Sequence, residues 1–347
     1  MENRLIECVP NFSEGRDPEK IGRIVGAIGS TEGVKVLHVD PGAAANRTVV
    51  TFAGAPEAVV EAAFRGAQVA AEVIDMRVQH GTHPRSGATD VLPLVPLAGV
   101  SLEECAALAR ALAERMYREL GIPCYCYEAA ASSVERRNLA WCRAGEYEAL
   151  PEKMADPVRR PDFGDAFDET VARTGASNVG ARGILLAVNF NLDTTDAALA
   201  HEIACDVRQK GRKALGPDGA PLLGADGKPV WIRGPLRGCK ALGWYIEEYG
   251  CAQVSMNVTD IDATPLHVAF ETVSRAAAAR GQRVTGTELI GLVPKRVLLD
   301  AGRHFGAQEG LAPDASEADL IRTAVRAMGL DDLCPFDAQQ KVIEYLL

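Results

Sequence analysis

Two histidines and several small or polar residues are concentrated in one short segment between a helix pattern and a strand pattern. The segment reads His80-Gly-Thr-His-Pro-Arg-Ser-Gly-Ala-Thr89 and holds two of the six histidines of the chain. Pro84 disfavours helical geometry at His83, and Gly81 and Gly87 permit close backbone approaches. Because imidazole exchanges protons near neutral pH, His83 is the first candidate for a catalytic acid and base.

A carboxylate at the end of a neighbouring predicted strand is the candidate partner of this imidazole. Asp40 ends the strand predicted over residues 34–40 and precedes Pro41-Gly42. A carboxylate beside an imidazole orients the ring and stabilises its protonated form. The residues alone leave two other interpretations open, in which Asp40 caps the turn and His83 bonds only to backbone.

The spacing of His80 and His83, with His38 on a neighbouring strand, also suggests a metal site. No carboxylate or cysteine completes a recognisable ligand spacing, and a ligating histidine would no longer serve as a base. We therefore expect a site without a metal.

Polar side chains suited to an anionic small molecule lie near predicted strand ends. Asn11 follows the first predicted strand, and Arg47, Arg85 and Arg182 each lie in a turn or beside a strand end. A guanidinium binds a carboxylate through two parallel hydrogen bonds. Each arginine is equally compatible with a solvated surface charge, and Asn11 with a helix-capping loop.

The composition excludes several classes of protein. The net charge of −10 argues against a nucleic-acid partner and against attraction to an anionic membrane. The sequence has no long apolar segment and no secretory signal pattern, so we expect a cytoplasmic protein. The nine cysteines include no CxxC pair, which predicts reduced thiols. Glycine-rich nucleotide loops and a G-x-S-x-G motif are absent from the sequence.

The order of predicted elements indicates an α+β fold made of two similar halves. In the first half, two helices and four strands up to residue 97 follow the β-α-β-β-α-β order of a ferredoxin-like unit. The same order recurs after residue 180. We predict two ferredoxin-like subdomains, residues 1–181 and 182–347, packed with a cleft or tunnel between them. A chance likeness of two common α/β patterns is the alternative.

Three other regions carry weaker or irregular signals. The patterns predict a helix over residues 133–148, a linker or binding loop over residues 155–181, and a protruding hairpin over residues 211–238.

Several of these motifs together resemble the glutamate formimidoyltransferase family. They are Glu7-Cys-Val-Pro-Asn-Phe-Ser-Glu-Gly-Arg16, Asn46-Arg-Thr48, His83-Pro-Arg-x-Gly-Ala-x-Asp90, Arg143-Ala-Gly-Glu-Tyr-Glu-Ala-Leu150, Gly180-Ala-Arg182, Gly243-Trp-Tyr245 and Leu333-Cys-Pro-Phe336. The resemblance implies transfer of a formimidoyl group from N-formimidoyl-L-glutamate to N5 of tetrahydrofolate, in histidine breakdown. It also implies a homodimer, tetrahydrofolate as co-substrate in the tunnel, and no metal. Animal members carry a cyclodeaminase domain as well, and we expect only the transferase here.

The resemblance assigns roles to individual residues. His83 matches the catalytic histidine of the family, and Asp40 matches the aspartate paired with it. A folate segment matches residues 164–175, where Ala172 and Arg173 stand with Thr174 in place of a proline and a tryptophan of animal members. Loss of that aromatic ring weakens stacking on the folate. The residues expected to bind substrate or folate are Gly164, Asp165, Ala166, Phe167, Thr174, Gly175, Asn11, Arg47, Arg85 and Arg182.

Three alternatives to this transferase are compatible with the sequence. Another folate-dependent one-carbon enzyme, such as one that cyclises 5-formyltetrahydrofolate, would need a nucleotide site that the sequence does not show. A folate-binding protein without turnover would not need His83 and Asp40. A hydrolase would pass the formimidoyl group to water and would work without tetrahydrofolate.

Overall fold

The computed structural model of the protein describes residues 4–43, 45–81 and 83–347. The chain forms two compact units, one ending at Gly183 and one spanning Ile184–Leu346. The boundary predicted between residues 181 and 182 lies two residues earlier. Each unit has its own hydrophobic core.

The first unit combines one mixed sheet with three long and three short helices in its described residues. Its strands are β1 Leu5–Cys8, β2 Asn11–Phe12, β3 Val34–Gly42, β4 Arg47–Gly54, β5 Thr89–Ala98, β6 Cys124–Glu128 and β7 Ser177–Ala181. Its helices are α1 Pro18–Gly29, α2 Pro56–Val73, α3 Leu102–Leu120, α4 Leu139–Arg143, α5 Leu150–Ala155 and α6 Glu169–Thr174, with a 3-10 turn at Glu135–Arg137.

Local sequence signals fix the ends of two long helices in this unit. The carboxylate of Asp17 accepts hydrogen bonds from two backbone amides in the first turn of α1. Ser101 and Glu104 form a reciprocal capping box at the start of α3, and Gly121 ends that helix in the left-handed conformation.

The sheet of the first unit brings three strand ends together. β1 and β2 share one position between β4 and β5 and are antiparallel to both. β3 pairs with the outer edge of β4, while β7 and β6 extend the sheet beyond β5 in parallel. Asn11 of β2, Arg47 of β4 and Asp90 of β5 therefore lie at the same end of the sheet.

The two faces of this sheet are covered differently. α1, α2 and α3 pack on one face, where the buried side chains include Phe52 and Leu94. On part of the other face, Tyr125 and Tyr127 pack with Leu150 of α5 in a smaller apolar cluster.

The strands of the main sheet in the second unit and the first two helices follow the chain order β-α-β-β-α-β, with a separate two-stranded ribbon inserted after the first helix and further helices at the end. Its strands are β8 Leu186–Leu192, β9 Arg212–Lys213, β10 Trp231–Ile232, β11 Cys239–Ile246, β12 Cys251–Val258 and β13 Val284–Ile290. Its helices are α7 Ala197–Val207, α8 Leu266–Ala278, α9 Lys295–Glu309, α10 Glu317–Met328, α11 Ala338–Lys341 and α12 Ile343–Leu346. The main sheet is antiparallel with the strand order β11-β12-β8-β13.

Two predictions about the first unit are wrong. Residues 133–148 do not form one helix, because Asn138 caps a new short helix and Gly145 and Glu146 both adopt positive φ. Residues 155–181 are not all irregular, because they include α6 and β7. β7 was missed because it is only five residues long and carries Ser177 and Asn178 at positions that are fully buried.

The predicted hairpin region, residues 211–238, forms a small ribbon in which β9 and β10 are antiparallel. Its tight turns contain Gly219 and Gly227, both with positive φ. Across the described residues, none of the helices combines the length and the apolar character needed to span a bilayer.

Candidate functional site

The loop that precedes β5 is held in place by the turn between β3 and β4. We call its described residues, 79–81 and 83–88, the His loop. Asn46 donates a hydrogen bond from Nδ2 to the carbonyl oxygen of His80 at 2.8 Å. Gly81 packs so closely that a Cβ atom there would lie 2.1 Å from the carbonyl oxygen of Ala45. Since that oxygen belongs to the backbone, only glycine fits at position 81 without a shift of the loop.

The imidazole of His83 is held in one tautomer by its own loop. Its Nδ1 lies 2.7 Å from the carbonyl oxygen of Pro84. Because a carbonyl oxygen only accepts hydrogen bonds, the neutral ring carries its proton on Nδ1 and presents the lone pair of Nε2. Burial, together with the positive charge of Arg47, lowers the pKa of His83 to about 4. The ring is therefore neutral near pH 7, as a general base requires.

A buried aspartate joins two arginines near this imidazole. Asp90 is fully buried and accepts hydrogen bonds from Nη1 of Arg47 at 2.6 Å and from Nη2 of Arg143 at 2.7 Å. Burial by itself would raise the pKa of Asp90, but the two guanidinium groups outweigh burial and hold that pKa below its usual value. We call Arg47, Asp90 and Arg143 the arginine cluster. Two guanidinium groups and one carboxylate leave it with one net positive charge.

Asn11 and Arg47, both predicted site residues, are in direct contact. The Nε of Arg47 donates to Oδ1 of Asn11 at 3.0 Å. Only 8% of the Arg47 side chain is exposed. The contact fixes the plane of the guanidinium and so the direction in which its remaining donors point.

Asp40 lies in β3 opposite Val49 of β4 and is half buried. No hydrogen bond or ion pair links Asp40 to His83 in the described part of the chain. The carboxylate that acts electrostatically on the imidazole is Asp90, which raises the pKa of His83, although less than burial and Arg47 lower it. The proposed pairing of Asp40 with His83 stays a prediction.

Arg85 was predicted to bind substrate, but its donors are engaged within the protein. Its guanidinium donates two hydrogen bonds to Glu148, each 2.8 Å long, and one to the side chain of Gln79 at 3.0 Å. Glu146 adds a further ion pair at 3.3 Å. These contacts attach the His loop to the segment that carries Glu146 and Glu148. They leave few N–H donors of the guanidinium free to bind a ligand.

The first part of the predicted folate segment, residues 164–167, is a surface loop. Gly164 has a φ of 148°, and the ring of Phe167 is 37% exposed. Asp165 accepts a hydrogen bond from the hydroxyl of Tyr117. An exposed aromatic ring in an irregular loop is suited to stacking on a flat ligand.

The second part of the folate segment, Thr174 with Gly175, is buried against the His loop. The backbone amide of Ala88 donates to the carbonyl oxygen of Thr174 at 2.7 Å. Gly175 has a φ of 66°, and a Cβ there would lie 2.2 Å from the carbonyl oxygen of Ser86. These residues therefore connect the folate segment to the loop that carries the imidazole.

Arg182 lies beside a buried carboxyl group rather than beside His83. Glu7 of β1 is 6% exposed, and no described residue hydrogen-bonds to its carboxyl group. Burial raises the pKa of Glu7 to about 7, and the charge of Arg182 offsets only part of this effect. Glu7 is an unpaired buried acid that the sequence analysis did not identify.

Family models match nearly the whole chain. The N-terminal subdomain of the formiminotransferase domain matches residues 5–182, and the formiminotransferase domain matches residues 187–347. The chain belongs to the formiminotransferase family.

Relatives of this formiminotransferase family member include both longer and similar-sized proteins. It is 45% identical to formimidoyltransferase-cyclodeaminase of Gallus gallus, over 99% of this chain and 60% of that protein. It is 39% identical to glutamate formimidoyltransferase of Streptococcus pyogenes, over 87% of this chain and 93% of that protein. The protein of the same name from Thermoplasma acidophilum is also 39% identical, over 87% and 92% of the two chains. The chain thus spans about 60% of the length of its animal relatives.

Among solved structures, a microcompartment protein from Desulfitobacterium hafniense aligns with this formiminotransferase family member. The alignment covers 82% of this chain and 93% of the microcompartment protein. The identity is 11% and the TM-score is 0.21.

In this formiminotransferase family member, His83 stood out in the local sequence, whereas two residues of the arginine cluster did not. Asp90 and Arg143 stood in the quoted motifs without an assigned role. One signal was available for Asp90, which is a charged residue at the start of an otherwise apolar strand. No comparable signal existed for Arg143, because the segment around it was predicted as a regular helix. Within the described residues, His, Cys, Asp and Glu side chains form no group of three that would hold a metal.

Proposed function

We propose that the protein is a glutamate formimidoyltransferase, which moves the formimidoyl group of N-formimidoyl-L-glutamate to N5 of tetrahydrofolate. The observation that carries this proposal is the His83 imidazole, which is held through Nδ1 by its own loop, in a loop whose Ser86 amide donates to Asp90 of the positively charged arginine cluster at 2.8 Å. The names of the Streptococcus pyogenes and Thermoplasma acidophilum relatives support the same reaction. A site that pairs a base with one net positive charge suits an anionic amino-acid donor.

The proposed role of His83 is to move one proton twice. Nε2 accepts the proton that the attacking folate nitrogen loses as that nitrogen bonds to the formimidoyl carbon. The same Nε2 then gives this proton to the glutamate nitrogen as the bond between that nitrogen and the formimidoyl carbon breaks. The products are the N5-formimidoyl folate and free glutamate, and His83 returns to its neutral state. A low pKa suits the second step, because the imidazolium is then a strong acid.

The described residues fit a folate as the second substrate. Phe167 offers an exposed ring, and Thr174 and Gly175 connect the same segment to the His loop. We propose that this segment holds the folate, as the family resemblance implies, and that Asp40 can contact the reacting groups.

The same proposal includes a cytoplasmic location, a homodimer, a tunnel and two ferredoxin-like subdomains. Two strand orders support the ferredoxin-like subdomains: β3-β4-β1-β5 within the first sheet, and β11-β12-β8-β13 in the second unit.

Glutamate release tests the proposed reaction. Purified protein is incubated with N-formimidoyl-L-glutamate, with and without tetrahydrofolate, and free glutamate is measured over time. The proposal predicts release only when tetrahydrofolate is present. Equal release without it would identify a hydrolase, and no release in its presence would contradict the transferase.

A further inference from the structure

We propose that Arg143, together with Arg47, binds the α-carboxylate of the N-formimidoyl amino acid. The inference rests on the proposed function and adds to it a substrate-binding residue that the sequence motifs did not identify. It also selects one of the two carboxylates of the substrate.

The hydrogen bonds of the arginine cluster leave donors of both guanidinium groups available. Arg47 uses Nε on Asn11 and Nη1 on Asp90. Arg143 uses Nη2 on Asp90, while its Nε is buried without a partner among the described residues. A buried guanidinium nitrogen without an acceptor loses its hydration and gains nothing in exchange, unless a ligand supplies the oxygen.

The charges of the cluster are also unbalanced. Asp90 is the one carboxylate within 4.0 Å of either guanidinium in the described part of the chain. The side chains of Arg47 and Arg143 are only 8% and 15% exposed. Burying a second guanidinium with one shared carboxylate costs desolvation free energy. An anion bound across the pair would neutralise the remaining positive charge. Arg85 differs in this respect, because Glu146 and Glu148 already neutralise it.

The position of the cluster favours the α-carboxylate over the γ-carboxylate. The backbone amide of Ser86, in the same loop as His83, donates to Oδ1 of Asp90 at 2.8 Å, so the arginine cluster adjoins the His loop. The charges of both guanidinium groups also act on the imidazole. That imidazole must reach the nitrogen that leaves with glutamate. The α-carboxylate is carried by the carbon bonded to this nitrogen, whereas the γ-carboxylate lies two methylene groups further along. An anion-binding group beside His83 therefore meets the α-carboxylate first.

Three donors with different carboxylates test this assignment in the wild-type enzyme and in Arg143→Met. They are N-formimidoyl-L-glutamate, the 2-aminobutyrate analogue without the γ-carboxylate, and the 4-aminobutyrate analogue without the α-carboxylate. We expect Arg143→Met to lower kcat/KM on the order of 10²-fold for the first two donors. We expect a change of less than about threefold for the third, which has no α-carboxylate to lose. Equal losses with all three donors would overturn the assignment.

Arg136→Met provides a matched control, because Arg136 is also a buried arginine in an ion pair, with Asp162 at 2.9 Å. Its substitution is expected to affect the three donors equally. Titration calorimetry with L-glutamate alone separates this inference from the transfer reaction itself. Arg143→Met should weaken glutamate binding on the order of 10²-fold even if the transfer reaction is not the one proposed. Unchanged binding in a folded Arg143→Met protein would overturn the inference.

Discussion

The protonation state of His83 depends on burial and on the guanidinium groups near it. Burial is the larger effect, and Arg47 and Arg143 both lower the pKa further. We expect nuclear magnetic resonance titration of the His83 ring to give a midpoint near 4. Because Arg143→Gln removes a positive charge, it should move this midpoint upward. A wild-type midpoint at the ordinary histidine value of about 6.5 would contradict the described environment.

Glu7 makes the stability of the first unit depend on pH. Its folded pKa of about 7 lies above the ordinary value of 4.5, so the folded state binds the proton more tightly than the unfolded state. The resulting stability is present below about pH 4.5 and is lost as the pH rises through 7. Glu7→Gln should therefore stabilise the protein by about 3 kcal/mol near pH 8.5 relative to its effect at low pH.

Urea unfolding of Glu7→Gln and the wild type across this pH range measures the difference. Glu248→Gln is the control, because Glu248 is an exposed residue in a turn. Both substitutions remove one carboxyl group, so the comparison isolates the effect of burial at Glu7. A pH-independent difference for Glu7→Gln would mean that burial does not change the pKa of Glu7 on folding.

Individual site residues were predictable when their chemistry was visible in the local sequence. His83 stands out because Pro84 and two glycines surround it, and Arg47 because it precedes a β-branched strand. Asp90 and Arg143 act through contacts between residues 53 positions apart in the chain. Glu7 looks like an ordinary strand residue, and only burial in the folded unit makes its carboxyl group unusual. Long-range contacts and burial cannot be read from spacing in one sequence.

The His loop depends on a close backbone approach to the turn between β3 and β4. A methyl group on Gly81 would meet the carbonyl oxygen of Ala45 at 2.1 Å, so Gly81→Ala must displace the loop. We expect this variant to lose most of its transfer activity and to melt at a lower temperature. Gly26→Ala is the matched control, because a Cβ at this position of α1 meets nothing within 4 Å. It should stabilise the protein by up to about 1 kcal/mol.

Thermal melts and initial rates of the two alanine variants provide the comparison. Unchanged activity in Gly81→Ala would show that the position of the His loop does not matter for catalysis.

Secondary structure elements with strong periodicity and caps were predicted closely, and short ones were not. The apolar pattern over residues 317–328 predicts a helix with the ends that α10 has, because Ser316 precedes it as a cap and Gly329 follows it as a terminator. The predicted helix over residues 133–148 breaks at Gly145, where the chain takes positive φ. β7 is buried between β5 and β6, so its pairing partners rather than its own residues determine its conformation.

For the molecule as a whole, the sequence predicted two halves, and the structure divides at Gly183. The predicted first half ends its sheet at β5, whereas the observed sheet continues with β7 and β6. Those two strands run parallel to β5, and parallel pairing requires long crossovers that local patterns do not reveal. The added strands are relevant to the site, because the segments beside them bring Arg143 to Asp90 and Gly175 to the His loop.

The fate of the formimidoyl carbon distinguishes transfer to folate from hydrolysis. N-Formimidoyl-L-glutamate labelled with ¹³C in the formimidoyl group is mixed with tetrahydrofolate and enzyme, and the carbon is observed by nuclear magnetic resonance. We expect the label to move to N5 of the folate as glutamate appears, and His83→Ala to slow this transfer on the order of 10²-fold or more. Label that remains on glutamate, label released as formamide or formate, or transfer at the wild-type rate in His83→Ala would contradict the proposed transferase with His83 as its acid and base.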